Sequence, residues 1–268
     1  MLESSIISFR EILEASLVIG IVLSYLVKIK QTKYNNVVYL GVVAGISASI
    51  VGALIFNQVA GGFTGRAEQI FEGITMLVGA FLLTTMILWM MKRKHVAKEL
   101  EDKVTAEISE AHKFGLFLLV FVAVLREGIE TVIFLGAASF TSTGNSLIGA
   151  LAGIVAAILL GYAIFVGSMK VNLKKFFNIT SILLIFFAAG LVAHGIHEFE
   201  EAGIIPIVIE QVWDTNSIID ENGMVGGVLK GLFGYNGNPS LIEVSGYLIY
   251  LFSIFTLWRN IEKVHKVI

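Results

Sequence analysis

Apolar residues along the chain form seven long stretches separated by short polar segments. The stretches cover roughly residues 4–27, 37–56, 68–91, 114–139, 147–169, 176–197 and 241–258. A helix needs about 20 predominantly apolar residues to cross the hydrocarbon core of a bilayer. The pattern therefore predicts an all-α integral membrane protein whose seven transmembrane helices form a single domain, residues 1–268.

Basic residues are distributed unevenly between the predicted loops. Fifteen of the 19 Lys and Arg residues follow the first, third, fifth and seventh stretches, whereas the opposite loops hold only Arg66 and Lys230. Loops rich in Lys and Arg remain on the cytoplasmic side, so we expect the N-terminus outside and the C-terminus inside. The first stretch is unlike a cleavable signal peptide, because it begins with Glu3 and contains Arg10.

Two polar segments are longer than the other loops. Residues 92–113 mix both charge signs in a helical pattern, which is typical of a solvated amphipathic connector. Residues 198–240 contain seven acidic side chains and a single basic one, Lys230. We expect an acidic external segment with short helices there.

Composition narrows the function classes. The chain is 56% hydrophobic and 15% charged, whereas a soluble domain is about 25% charged. It has no Cys, which excludes disulfides, thiolate zinc sites and iron–sulfur clusters. The net charge of −2 gives no indication of nucleic-acid binding. The high hydrophobic fraction instead indicates that membrane lipid surrounds the chain.

The first six stretches read as two copies of three. Residues 10–14 are Arg-Glu-Ile-Leu-Glu in the first stretch, and residues 126–130 are Arg-Glu-Gly-Ile-Glu in the fourth. Gly-x-x-x-Gly pairs at 41/45 and 149/153 occupy the second and fifth stretches. Because each copy has an odd number of spans, an inverted repeat of about residues 4–91 and 114–197 is predicted, with its site near the midplane. The seventh helix, residues 241–258, has no counterpart and is predicted to be accessory.

The two Arg-Glu-x-x-Glu motifs place charge inside predicted spans, which costs about 2.5–3.5 kcal/mol per residue. Residues three and four apart share one helical face, so each Arg can neutralise one Glu of its own motif. A purely structural ion pair needs one carboxylate per Arg, but each motif has two. The surplus of two negative charges favours a bound cation, or protonation when the site is empty.

Carboxylate oxygens are hard ligands. The chain offers no Cys, and no Met stripe is aligned with the motifs; Met86 and Met90 indicate packing. Copper(I) and other soft ions are therefore disfavoured. Iron, manganese, magnesium and calcium remain.

The paired motifs resemble those of the iron permease family, the oxidase-dependent iron transporters, which include fungal high-affinity iron permeases and bacterial Efe-type uptake permeases. Residues 197–203 (His-Glu-Phe-Glu-Glu-Ala-Gly) and 234–240 (Gly-Tyr-Asn-Gly-Asn-Pro-Ser) are also similar to this family. The resemblance implies a multi-pass permease of the plasma membrane, not an enzyme. It further implies ferric or ferrous iron as the transported ion and no organic cofactor.

The same resemblance assigns roles to residues and partners. Iron ligands or relay carboxylates would be Glu11, Glu14, Glu127 and Glu130, with Arg10 and Arg126 balancing their charge. Iron would be delivered by a separate ferroxidase or by a periplasmic or extracellular delivery protein.

Further polar residues lie at the predicted outer ends of the third and sixth stretches. They would form an outer entry site that concentrates cations: Glu68, Glu72, His197, Glu198 and Glu201. The alternative is that carboxylates near a helix N-terminus favour its dipole and that the helix ends are simply solvated.

Three other functions are weighed against iron transport. A transporter of another hard divalent cation, such as manganese, would use the same carboxylates. A membrane metal sensor would bind the ion without flux. An intramembrane zinc protease requires His-Glu-x-x-His, and residues 194–198, His-Gly-Ile-His-Glu, have a different order.

Overall fold

The computed structural model describes residues 1–92, 96–109, 113–141, 146–165, 173–221 and 223–267, and the regular structure in these ranges is helical. The nine helices of this part of the chain are α1 (Leu2–Lys28), α2 (Asn35–Ala60), α3 (Arg66–Lys92), α4 (Val96–Ser109), α5 (Lys113–Thr141), α6 (Ser146–Phe165), α7 (Leu173–Glu201), α8 (Met224–Phe233) and α9 (Leu241–Val267). A 3₁₀ turn, Thr32–Tyr34, links α1 to α2.

The predicted apolar stretches fall in α1, α2, α3, α5, α6, α7 and α9. Helix α4 occupies the predicted amphipathic connector, and α8 lies in the predicted external segment. Helix α7 continues to Glu201, one turn beyond the predicted end of its stretch. Residues 166–169, predicted as the end of the fifth stretch, and the loop residues Arg93, Lys94 and Lys170 lie outside the described residues.

Five of the described helices are long and apolar enough to cross a membrane: α2, α3, α6, α7 and α9. Helices α1 and α5 are of similar length, 27 and 29 residues, but carry the charged motifs within it. The apolar faces of these helices are unfavourable in water, and a helix satisfies its own backbone hydrogen bonds within a bilayer. The chain is therefore an all-helical integral membrane protein.

Helices of the first half of the chain pack mainly on helices of the second half. The most extensive pairings are α1 with α6, α2 with α5, and α3 with α7, and α1 also packs on α5. By comparison, α1 touches α2 and α5 touches α6 only slightly. Helix α9 packs on α7, away from the motif helices.

The predicted glycine pairs lie at two of these interfaces. A Cβ at Gly45 of α2 would be 2.9 Å from the Cβ of Val124 in α5, and a Cβ at Gly153 of α6 would overlap the Ser5 carbonyl of α1. Contacts advance in the same direction along both helices of each pair, at Gly41–Val120 and Gly45–Val124, and at Gly149–Met1 and Gly153–Ser5. Thus α1 is parallel to α6, and α2 is parallel to α5.

We expect Gly153→Ala to destabilise the protein, because its methyl group would force α6 away from the α1 backbone. Overpacking of this kind costs about 1–3 kcal/mol. Gly52→Ala is the matched control, since a Cβ there meets nothing within 4 Å and helical propensity favours Ala over Gly by up to about 1 kcal/mol. Thermal unfolding in detergent measures both, and equal melting temperatures for the two variants would contradict the close approach.

Two apolar clusters lie on either side of the motifs. The Phe134 cluster consists of Ile7, Met76, Ala80, Leu83, Ile87, Phe134, Ala137, Ala138, Leu184, Phe187, Ala188 and Leu191. The Val120 cluster consists of Val22, Leu26, Tyr34, Val38, Val104, Leu116, Val120 and Val124. Each cluster joins residues before the motif in one helix to residues after it in the other, so α1 and α5 run antiparallel.

Candidate metal centre

The antiparallel crossing of α1 and α5 brings the two motifs together between the apolar clusters. One carboxylate oxygen from each of Glu11, Glu127 and Glu130 lies within 4.8 Å of the others. Glu11 is completely buried, and Glu127 is 6% exposed. Carboxylates from both predicted halves therefore converge on one point, although the halves are more than 100 residues apart in the chain.

Each motif contains the ion pair that its spacing predicts. Arg10 Nε lies 3.1 Å from Glu14 Oε1, and Arg126 Nε lies 3.1 Å from Glu130 Oε1. Arg126 makes a second ion pair, because its Nη2 lies 3.0 Å from Glu127 Oε1. The arginines thus hold Glu14 and Glu130 in equivalent ways in the two motifs.

Several carboxylate oxygens at this crossing have no donor. Both oxygens of Glu11 are buried without a hydrogen-bond partner among the described residues, as is one oxygen, Oε2, of each of Glu127 and Glu130. An ionised carboxylate is an acceptor only, and burying one without a partner is costly. A cation placed between these oxygens would satisfy them together.

The surroundings of the two arginines differ. Arg10 is completely buried, and its Nη2 donates a hydrogen bond of 2.9 Å to the Sδ of Met90. The side chain of Arg126 is 48% exposed, and its guanidinium carbon lies 5.4 Å from the ring centre of Trp89. Two consecutive residues of α3 therefore contact one arginine each. Met90, predicted to pack rather than to bind a metal, packs against Arg10, and spacing within α3 contains no signal for either contact.

The predicted outer entry residues lie where α3 meets α7. The two helices approach closely at Gly73 of α3 and Gly195 of α7, since a Cβ at Gly73 would be 3.0 Å from the Gly195 carbonyl oxygen. Beside this contact, Gln69 Nε2 donates a hydrogen bond of 2.9 Å to Glu201 Oε2. Carboxylates of both helices interact electrostatically at this point: Glu68, Glu72, Glu198 and Glu201.

The remaining member of the predicted entry set, His197, faces α9 as well. Its Nδ1 lies 3.0 Å from Glu243 Oε1, and its Nε2 lies 3.3 Å from Glu201 Oε1. His194 is buried, with Nδ1 3.0 Å from the carbonyl oxygen of Gly190 one turn earlier in α7. His197 is thus the histidine that joins the C-terminal end of α7 to the N-terminal end of α9.

Glu243 was absent from the predicted site, but the sequence contains a signal for its position. Ser240 and Glu243 form a capping box at the start of α9: Glu243 N–H donates to Ser240 Oγ at 3.1 Å, and Ser240 N–H donates to Glu243 Oε1 at 3.1 Å. The Ser-x-x-Glu pattern before an apolar run is typical of such a helix start. It locates Glu243 in the first turn of α9, near the C-terminal end of α7.

Comparison with known proteins connects these motifs to a family. The model of the iron permease FTR1 family matches residues 1–260. The chain belongs to the iron permease FTR1 family. Members similar to it include the ferrous iron permease EfeU of Yersinia pestis, 37% identical over 257 residues that cover 94% of this chain and 91% of the relative. No solved structure matches the chain significantly.

A second relative gives the same result. The ferrous iron permease EfeU of Escherichia coli O6:H1 (strain CFT073) is 34% identical over 250 residues, 92% of this chain and 91% of the relative. Membership of this family agrees with the multi-pass membrane fold and with the expectation of an iron transporter rather than an enzyme. The predicted family is therefore confirmed.

Proposed function

We propose that the protein moves ferrous iron across the plasma membrane into the cytoplasm through the carboxylates of the two motifs. The observation that carries this proposal is the group of unpaired, buried oxygens of Glu11, Glu127 and Glu130. Four glutamates and two arginines sum to a formal charge of −2, which one divalent cation neutralises. The names of the similar EfeU proteins also support the ferrous ion.

We infer seven membrane crossings, with α1 and α5 spanning together with the five more apolar helices. The alternating directions of the helices support this topology, because α1 is parallel to α6, α2 to α5, and α1 antiparallel to α5. An inverted repeat that relates α1 to α5 and α2 to α6 would make the α1–α6 and α2–α5 pairings equivalent, and these are the two most extensive pairings. The excess of Lys and Arg in alternate loops supports an external N-terminus and an internal C-terminus.

In this proposal the carboxylates at the α3–α7 contact attract the ion before it enters. They are separated from the motifs by the Phe134 cluster, which begins one turn along α3 from Glu72 with Met76. Ile7 and Phe134, each one turn from a motif glutamate, are 1% and 0% exposed. The Val120 cluster closes the opposite side, so passage requires a rearrangement at each cluster, as in alternating access.

Delivery of iron by a separate periplasmic or extracellular delivery protein remains part of the proposal, whereas a ferroxidase, the other partner that the resemblance implies, would supply ferric rather than ferrous iron. Its support is the resemblance of the motifs and of residues 197–203 and 234–240. The acidic character of the outer segment agrees with it, because a cation released nearby would be attracted to Glu68, Glu72 and Glu198.

Uptake into proteoliposomes tests the function directly. We expect the purified protein to move Fe²⁺ into vesicles, with excess Mn²⁺ competing weakly, since N/O sites bind Fe²⁺ somewhat more tightly than Mn²⁺. Stronger transport of Mn²⁺ than of Fe²⁺ would favour the manganese alternative. Saturable binding without any flux would instead favour the metal sensor.

A further inference from the structure

A second group of metal-binding side chains lies where α7 meets the start of α9. His197 and Glu200 are three residues apart on α7, and Glu243 is in the first turn of α9. One donor atom from each of the three lies within 4.8 Å of the others. Glu200 and Glu243 are 5% and 2% exposed, so two carboxylates are buried beside one imidazole.

Hydrogen bonds satisfy only some of the carboxylate oxygens in this group. Glu243 accepts from His197, from Ser240 N–H and, at 2.7 Å, from the Asn236 side-chain amide. Glu200 Oε2 accepts from the Ser240 hydroxyl at 2.7 Å. Glu200 Oε1, however, is buried without a hydrogen-bond partner among the described residues. A buried carboxylate oxygen needs a donor or a cation, and a protonated His197 would balance only one of the two carboxylates.

We propose that His197, Glu200 and Glu243 bind a divalent transition-metal cation at this α7–α9 junction. One imidazole nitrogen and two carboxylate oxygens are a donor set suited to Fe²⁺, Mn²⁺ or Zn²⁺. With metal–ligand bonds of about 2.1 Å, two ligand atoms on opposite sides of an ion are about 4.2 Å apart. Donor atoms within 4.8 Å of one another are close enough for one ion to reach all three after side-chain shifts of less than about 1 Å, and Glu200 Oε1 has a lone pair that no hydrogen bond uses among the described residues.

This site is distinct from the motif site and adjoins the carboxylates at the α3–α7 contact, because His197 Nε2 lies 3.3 Å from Glu201 Oε1. It includes a nitrogen donor, whereas the motif site has oxygen donors alone. It also involves α9, which contacts neither α1 nor α5 appreciably. An ion bound there would fasten α9 to α7 and hold a cation at the outer surface, and its binding does not depend on transport through the motifs.

Manganese binding to a protein without its motif site tests the proposal. The Glu11→Gln/Glu127→Gln protein keeps Glu14 and Glu130, each paired with the arginine of its own motif, and loses two of the three carboxylates that converge at the motif site. We expect electron paramagnetic resonance to detect one bound Mn²⁺ per chain in this background. Adding Glu200→Gln should weaken that binding at least about tenfold, while the amide oxygen of Gln still accepts the Ser240 hydroxyl.

Matched variants distinguish Mn²⁺ binding at this site from weak attraction of Mn²⁺ to the other acidic side chains. Glu210→Gln removes an exposed acid of the same outer segment, and Glu72→Gln/Glu198→Gln removes carboxylates of the α3–α7 contact; both should leave the bound Mn²⁺ in place. His197→Gln provides a second test and should weaken Mn²⁺ binding to the same extent as Glu200→Gln. If size-exclusion chromatography shows that one of the two variants is misfolded, the other variant decides. No bound Mn²⁺ in the background protein, unchanged affinity after Glu200→Gln and His197→Gln, or loss in the Glu72→Gln/Glu198→Gln protein would each overturn the proposal.

Discussion

Glu11→Gln should abolish most iron uptake while the protein stays folded. Glu11 is completely buried, and neither of its carboxylate oxygens has a hydrogen-bond partner among the described residues, so in the proposed mechanism its charge would serve ion binding rather than a protein contact. Loss of a direct ligand should reduce transport at least as much as the roughly 10- to 100-fold that follows loss of an outer-shell partner. Because the substitution removes a buried carboxyl group that makes no hydrogen bond among the described residues, the melting temperature of the ion-free protein should stay equal or rise.

The comparison with Glu14→Gln makes this prediction specific. Glu14 is the partner of Arg10, so its substitution should lower both transport and the melting temperature. Exposed Glu210→Gln should change neither. Proteoliposome uptake and thermal unfolding are measured on the same preparations. Normal uptake by Glu11→Gln, Glu14→Gln, Glu127→Gln and Glu130→Gln proteins would exclude the motif site.

Arg10→Met should be the most destabilising of the motif substitutions. It leaves Glu14 and Glu11 in a buried site with no positive charge from α1, and breaking a buried pair in this way costs about 3–5 kcal/mol. Arg126→Met should cost clearly less, because the Arg126 side chain is 48% exposed and therefore loses fewer packing contacts than the completely buried Arg10. Denaturant or thermal unfolding in detergent should rank the two variants in this order.

A compensating double variant tests whether the unpaired Glu14 carboxylate causes the loss of stability in Arg10→Met. Arg10→Met/Glu14→Gln removes both charges of the pair, so it should recover a large part of the stability lost in Arg10→Met while transport stays low. If the double variant is as unstable as Arg10→Met, the loss comes from packing around Met90 rather than from the unpaired carboxylate. Equal stability of Arg10→Met and Arg126→Met proteins would contradict the difference between the two motifs.

Local patterns predicted much of the fold. The apolar stretches correspond to helices, the Arg-Glu-x-x-Glu spacing placed Arg10 beside Glu14, and the glycine pairs lie at close helix contacts. Each of these features depends on residues within one or two helical turns. Periodicity along a helix determines which side chains share a face, and a recurring motif indicates that two such faces are related.

The contacts that the sequence could not predict are long-range. Arg10 meets Met90 across 80 residues, and His197 meets Glu243 across 46. Nothing in the spacing of α3 distinguishes Met90 from a packing residue, because its partner is chosen by how α3 and α1 are arranged. The unequal burial of Arg10 and Arg126 is also a long-range feature, because the two motifs have the same spacing and only the arrangement of the other helices around them can differ.

The glycine contacts also determine which parts of the molecule can move as units. Helix α6 is held against the α1 backbone, and α2 is held against α5, so each motif helix is fastened to a helix from the other half of the chain. The two sequence repeats therefore cannot separate as rigid bodies without opening both tight seams. The contact between α1 and α5 is less extensive than either of these two pairings. We therefore expect the motion that exposes the ion first to one side and then to the other to occur at the α1–α5 crossing, with α1 and α6 moving as one unit and α2 and α5 as the other.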